Sequence, residues 1–121
     1  MTINKDLHNQ VSVGVAIALT AVADGEDVVG AVIDRQGSEG LELIFQVGAY
    51  TDGSVTPLIE DSDDNVTYTA VADANLTNTE ASAALSAAGV SSIGYVGFKR
   101  YVRATAVTAA GSTLSVGASF V

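Results

Sequence analysis

Three of the five basic residues of this chain, Lys99, Arg100 and Arg103, fall in one run at residues 94–107. Aromatic and β-branched residues make up most of the rest of that run, which reads as one long β-strand. Side chains alternate along a strand, so Lys99, Tyr101, Arg103 and Thr105 share one face. Phe98, Arg100, Val102 and Ala104 share the other. In a chain with fourteen acidic residues and a formal net charge of −9, such a positive knot has two readings. Either it pairs across strands with acids such as Glu42 or Glu60, each exposed pair contributing under about 1 kcal/mol. Or it docks an acidic neighbour, another subunit or a larger assembly.

The acids offer a second candidate. Asp61, Asp63 and Asn65 alternate as the first three ligands of a calcium loop do. The match then fails, with Val66 where a glycine is required and Ala72 where a bidentate glutamate belongs. A solvated hairpin tip is the better reading. A weak calcium site stays open, because carboxylates this close repel one another without a cation. No metal ligand is assigned.

Other chemistries find little support. The sole histidine, His8, lies in a polar N-terminal segment, and no Gly-x-Ser-x-Gly turn supplies it with a nucleophile. Most carboxylates sit in turn sequences rather than paired across a cleft, as glycoside hydrolysis requires. There is no phosphate-binding glycine loop. With no cysteine there is no disulfide framework and no thiolate nucleophile or ligand. Neither catalytic residues nor a cofactor are assigned. Tyr50, Tyr68, Tyr95 and Tyr101 are candidates for a sugar-stacking platform, but tryptophan is absent, and core or half-buried roles fit them better. Two sequons, at Asn65 and Asn75, read as accidental because the N-terminus lacks the apolar core of a signal peptide.

The elements that must carry these residues are strands. Residues 1–10 have no period and read as an extended arm; residues 11–121 read as one β domain. Val11, Val13, Val15, Ile17 and Leu19 are branched and apolar, and the positions between them are small or polar, which predicts a strand. Asp24-Gly25 is a turn signal, and residues 28–33 predict a second strand. Leu41, Leu43, Phe45 and Val47 predict the buried face of a third. Thr51-Asp52-Gly53-Ser54 signals a hairpin into residues 55–59, where Pro57 demands a sheet edge or a bulge. Residues 66–71 predict a short strand. Residues 72–90 predict a loop with one or two helical turns, 80–88 having helix-forming composition. After the basic run, residues 108–112 signal a hairpin into a last strand whose inward face is Leu114, Val116, Ala118 and Phe120. The sum is an all-β antiparallel sandwich or barrel of about seven or eight short strands.

Composition bounds the partners. Ala and Val supply much of the 48% hydrophobic content, which fits thin, closely stacked layers with self-association as a supplement. The strong acidity argues against nucleic acid. The apolar run at 11–23 is too short to span a bilayer as a helix, so no membrane partner is expected.

Three stretches together resemble small structural proteins of tailed bacteriophages and prophages. The first is Asn4-Lys5-Asp6-Leu7. The second runs from Val47-Gly48-Ala49-Tyr50-Thr51-Asp52-Gly53 through Thr56-Pro57-Leu58-Ile59-Glu60-Asp61-Ser62-Asp63-Asp64 to Tyr68-Thr69-Ala70-Val71. The third is Gly94-Tyr95-Val96-Gly97-Phe98-Lys99-Arg100-Tyr101-Val102-Arg103. None of these motifs is catalytic. The resemblance implies a non-enzymatic virion component, a head decoration (cement) protein made in the bacterial cytoplasm. It would bind the major capsid protein on the outer shell, with a homotrimer favoured. On that footing Ile3, Lys5, Leu7 and His8 of the arm are the first candidates for docking, and Lys99, Arg100 and Arg103 the second. The alternative from another class is a carbohydrate- or host-surface-binding β-sandwich module of a phage.

Overall fold

A computed structural model describes residues 12–22, 25–36, 40–80, 83–109, 111 and 113–121. The expected arm, with Ile3, Lys5, Leu7 and His8, lies outside the described residues. The strands are β1 (Gly14–Val22), β2 (Val28–Val29), β3 (Ile33–Asp34), β4 (Leu41–Asp52), β5 (Val55–Ser62), β6 (Thr69–Ala70), β7 (Leu76–Thr77), β8 (Gly89–Tyr95), β9 (Tyr101–Thr108) and β10 (Thr113–Phe120). Every pairing is antiparallel. Sheet A runs β1-β10-β4-β8-β7; sheet B runs β2-β9-β5-β6, with β3 also on β9. The all-β expectation holds, as a sandwich with ten strands among the described residues.

Two strands behave as their alternation requires. In β4, Leu41, Leu43, Phe45 and Val47 are all buried, and in β10 so are Leu114, Val116 and Ala118. These meet Val55, Ile59, Val102, Ala104 and Ala106 from sheet B. Alanines on the inner face of β9 keep the layers thin, as the composition implies. Pro57 also falls where its missing N–H is tolerated. β5 is bonded on one side to β9; on the other, Leu85 bridges Val55, the Val71 N–H reaches Ile59 O, and β6 takes Glu60 and Asp61, so Pro57 falls between these partners.

Elsewhere the local pattern misleads. The apolar odd positions of β1 do not form one buried face. Register shifts against β10 between Val15 and Ile17, and again between Ile17 and Thr20, reset the period. Ala16, Ile17 and Val22 therefore turn inward, while Val13, Val15 and Leu19 are exposed. The strand expected at 28–33 is split at Gly30. Its N–H donates to Ala104 O at 2.8 Å in sheet B, and the next N–H, of Ala31, donates to Ala16 O at 3.0 Å in sheet A. A Cβ at Gly30 would stand 2.5 Å from both carbonyl oxygens, so glycine is what lets this stitch close.

The two expected hairpins at 51–54 and 108–112 are reversals of a different kind. At each the chain leaves one sheet for the other, because β5 pairs with β9 while β4 and β10 pair with each other. Gly53 at φ 99° makes the first turn, where Asp52 Oδ1 accepts its N–H and the Tyr50 hydroxyl donates to its carbonyl. The strand expected at 66–71 shrinks to β6. Among the described residues the 3₁₀ turn is Asp73–Asn75. Further on, the Ala83 N–H turns back to Thr79 O at 3.1 Å and Glu80 O at 3.2 Å, and Leu85 bridges Val55 through two 2.8 Å backbone hydrogen bonds.

Candidate functional site

The basic run is not one strand. It is β8, a crossover at residues 96–100, and β9, so it passes from sheet A to sheet B. Strand alternation governs only its second part, where Val102 and Ala104 are buried and Tyr101 and Arg103 face outward half-buried. The break is caused by a polar cluster at the sheet junction.

Tyr95 closes β8 inside the core. Its hydroxyl donates to Asp61 Oδ2 of β5 at 2.8 Å and accepts from the Lys99 N–H at 3.2 Å. Asp61, itself buried, also holds Lys99 Nζ at 3.5 Å. Arg35, directly after β3, is buried with its guanidinium 4.8 Å from the Tyr95 ring centroid. Its Nε donates to Lys99 O at 3.0 Å and its Nη2 to Gly97 O at 3.1 Å, while its backbone N–H donates to Arg100 O at 2.8 Å. Gly97 lies against the Tyr95 ring so closely that a Cβ would come within 2.5 Å of the hydroxyl oxygen. The carbonyls on either side of Phe98 are thus held by one guanidinium. Between them the Phe98 side chain projects outward, 94% exposed.

Burial, and then the hydrogen bond to Asp61, push the Tyr95 phenol up to about 12. A neutral hydroxyl is what this position needs, since it must donate to a carboxylate.

The remaining cations are held on the outer side of sheet B. Arg100 makes a two-pronged contact with Asp34, Nε to Oδ1 at 2.8 Å and Nη2 to Oδ2 at 2.7 Å. That hydrogen bonding leads the effects that lower the Asp34 carboxyl to about 2. Arg103 reaches Glu60 Oε1 at 3.1 Å across the β5–β9 pair, as the sequence anticipated. Its guanidinium lies 4.2 Å from the Tyr68 ring centroid, and that of Arg100 lies 4.9 Å from Tyr101. Tyr68 in turn donates to Asn65 Oδ1, and burial raises its phenol. Glu42, the other acid named from sequence, lies over Gly94.

The acidic turn is organised by a residue outside the alternating set. Asp64 Oδ1 accepts from Thr67 N–H at 3.0 Å, Val66 N–H at 2.9 Å and Ser62 Oγ at 2.8 Å, which lowers its carboxyl to about 2. Asp61 is turned inward to Tyr95 and Lys99, so Asp61, Asp63 and Asn65 do not converge. Among the described residues no group of three His, Asp or Glu is gathered to hold a metal ion.

Each of the four described cations therefore has an internal partner. The sequence marks Lys99, Arg100, Arg103 and Glu60, and marks Asp61 only as a possible calcium ligand; Arg35 and Asp34 go unmarked. No local pattern shows these pairings, because each partner lies more than thirty residues away in the chain. Strand alternation makes Phe98 one side chain on a strand face; the neighbouring Gly97 is the available sign of a break.

The structure defines an antiparallel β-sandwich whose sheets are tied by a buried Arg–Tyr–Asp cluster. No protein-family model matches the chain, and no curated protein matches it. Among solved structures it is similar to the PBSX exported protein XepA, at 18% identity and a TM-score of 0.65. The alignment covers 90% of this chain and 36% of that one, so this chain spans about a third of that protein's length. A module pair of the Clostridium thermocellum endo-1,4-β-D-xylanase 10B, CBM22-1 with GH10, aligns at 12% identity over 90% of this chain and 26% of that one. Its TM-score is 0.37, too low for a shared fold. Among the described residues no helix is long and apolar enough to cross a membrane.

Proposed function

We propose that this chain is a non-enzymatic structural protein of a tailed-phage particle. In this reading it is a decoration protein that binds the major capsid protein on the outer head shell and stabilises the shell. It acts as a homo-oligomer, with a trimer favoured. The observation that carries the reading is where the stretches with phage resemblance spend their polar groups. Asp61, Tyr95, Gly97 and Lys99 all lie in those stretches, and all go into the tie between the sheets. A protein whose task is to stay rigid under load needs this kind of bracing more than an open site. The sugar-binding alternative has less to draw on. Tyr95 is buried, and Tyr68 and Tyr101 each have a guanidinium over the ring.

The test is addition of purified protein to undecorated heads, scored by copies bound per shell and by shell survival on heating. The expected result is saturable binding that raises the survival temperature. Deleting residues 1–10 should leave a folded protein that no longer adds. Addition by the deletion variant would remove the arm from the account, and no addition by the intact chain would end the reading.

A further inference from the structure

Asp52 ends β4, and Gly53 makes the turn that carries the chain from sheet A to sheet B. Asp52 is exposed, and its Oδ1 accepts a hydrogen bond from the Gly53 N–H at 2.8 Å. Asp27, Asp34, Asp61 and Asp64 turn their carboxylates to groups further along the chain. Asp27 takes the Thr108 N–H, and Asp34 takes the Gln36 N–H together with Arg100. Asp61 takes Tyr95 and Lys99, and Asp64 the N–H groups of Val66 and Thr67. Of these five, Asp52 is the one whose carboxylate rests on the nitrogen of the very next residue. That residue is a glycine, with no side chain to stand in the way.

We infer that Asp52-Gly53 is a site of spontaneous backbone rearrangement to isoaspartate, with water as the only co-reactant. The carboxyl reacts in its protonated form. The Gly53 nitrogen bonds to Asp52 Cγ, and its proton passes to Oδ1 along the hydrogen bond already present. One Cγ–O bond then breaks, the oxygen leaves as water, and a five-membered imide is closed. Water next adds to either imide carbonyl. Breaking the new Cγ–N bond restores aspartate. Breaking the bond between the nitrogen and the main-chain carbonyl carbon of Asp52 leaves the chain running through Cγ, with the former main-chain carbon a free carboxylate. Holding the two groups in contact is what favours such an intramolecular step.

The product has the same mass and formal charge, but it carries one more main-chain carbon at the corner between the sheets. Asp52 ends the β4–β10 ladder opposite Thr113, and the Tyr50 hydroxyl donates to Gly53 O at 2.9 Å. Both contacts are set for an ordinary peptide link, so the rearranged chain is the less stable one. The inference does not depend on the proposed function.

The experiment keeps the folded chain in mildly acidic buffer at body temperature for several weeks. Samples are peptide-mapped with electron-transfer fragmentation, which tells isoaspartate from aspartate at each position. Mapping by position also separates this site from Asp24-Gly25, whose aspartate lies outside the described residues. Isoaspartate should accumulate at Asp52 ahead of Asp27, Asp34, Asp61 and Asp64, through an intermediate short by one water, and the aged fraction should have a lower Tm. Asp52→Glu keeps the charge but needs a six-membered ring, which closes far more slowly. Rearrangement at that position should therefore be lost in the variant, with urea unfolding confirming that it folds. No isoaspartate at Asp52 in the folded chain would overturn the inference. So would its appearance at Asp27, Asp34, Asp61 or Asp64 as readily as at Asp52.

Discussion

Replacing Tyr95 by phenylalanine removes one oxygen atom from the sheet junction and leaves the ring. The hydroxyl donates to buried Asp61 Oδ2 at 2.8 Å and accepts from the Lys99 N–H at 3.2 Å. Ring volume is preserved, so no cavity opens, and Arg35 keeps its stacking position at 4.8 Å. What is lost is a hydrogen bond to a charged group, worth about 1.5–3 kcal/mol, since Asp61 is left short of a donor where water is excluded. The expected cost is about 2 kcal/mol, a lowering of Tm by roughly 6–10 °C for a domain of this size. Urea unfolding should show a lower midpoint at unchanged m-value.

The same oxygen predicts a pH effect. The Tyr95 phenol is raised from 10.0 to about 12 on folding. A group whose folded pKa is raised stabilises fully below its unfolded value and loses that contribution as pH climbs through the folded value. Stability should therefore fall between about pH 10 and pH 12, and Tyr95→Phe should flatten that fall. A cost below about 0.5 kcal/mol together with an unchanged alkaline slope would refute the claim that this hydroxyl ties the sheets.

Gly30→Ala forces a methyl between two backbone carbonyls, each 2.5 Å from the Cβ position, and neither can swing aside as a side chain would. It should cost at least about 1–3 kcal/mol by thermal unfolding, and a neutral result would mean that the stitch between Ala16 and Ala104 is not tight. Arg103→Glu places like charges opposite one another on β9 and β5 and should destabilise by about 1 kcal/mol. The double variant Arg103→Glu with Glu60→Arg should recover most of that loss in urea midpoints; no recovery would place the Arg103 contribution in its stacking on Tyr68 instead.

How much was legible varies by element. The faces of β4 and β10 could be read from alternation, because both strands lie inside sheet A and run through the core with one side inward. The edge character at Pro57 was legible for a covalent reason, the missing N–H. In β1 the same alternation failed, since two bulges against β10 reversed which residues face inward, and a bulge depends on the partner strand as much as on the bulged one.

The larger failures share one cause. A glycine-rich turn says that the chain reverses, not whether the next strand bonds to the last one or to a strand in the opposite sheet. At 51–54 and at 108–112 that choice belonged to β9, whose alanine face pairs with β5. Likewise, the run at 94–107 had the composition of a strand throughout, and only the arrival of Arg35 from a segment about sixty residues earlier broke it. Amino-acid order alone thus determined that this is a stack of short antiparallel strands with a small-residue core and a cluster of cations, because side-chain period and volume are local properties. Tertiary structure decided which carboxylate each cation meets, which sheet each strand joins, and that Phe98 stands out in solvent. Those outcomes depend on distances between residues far apart in the chain, which spacing along the sequence does not encode.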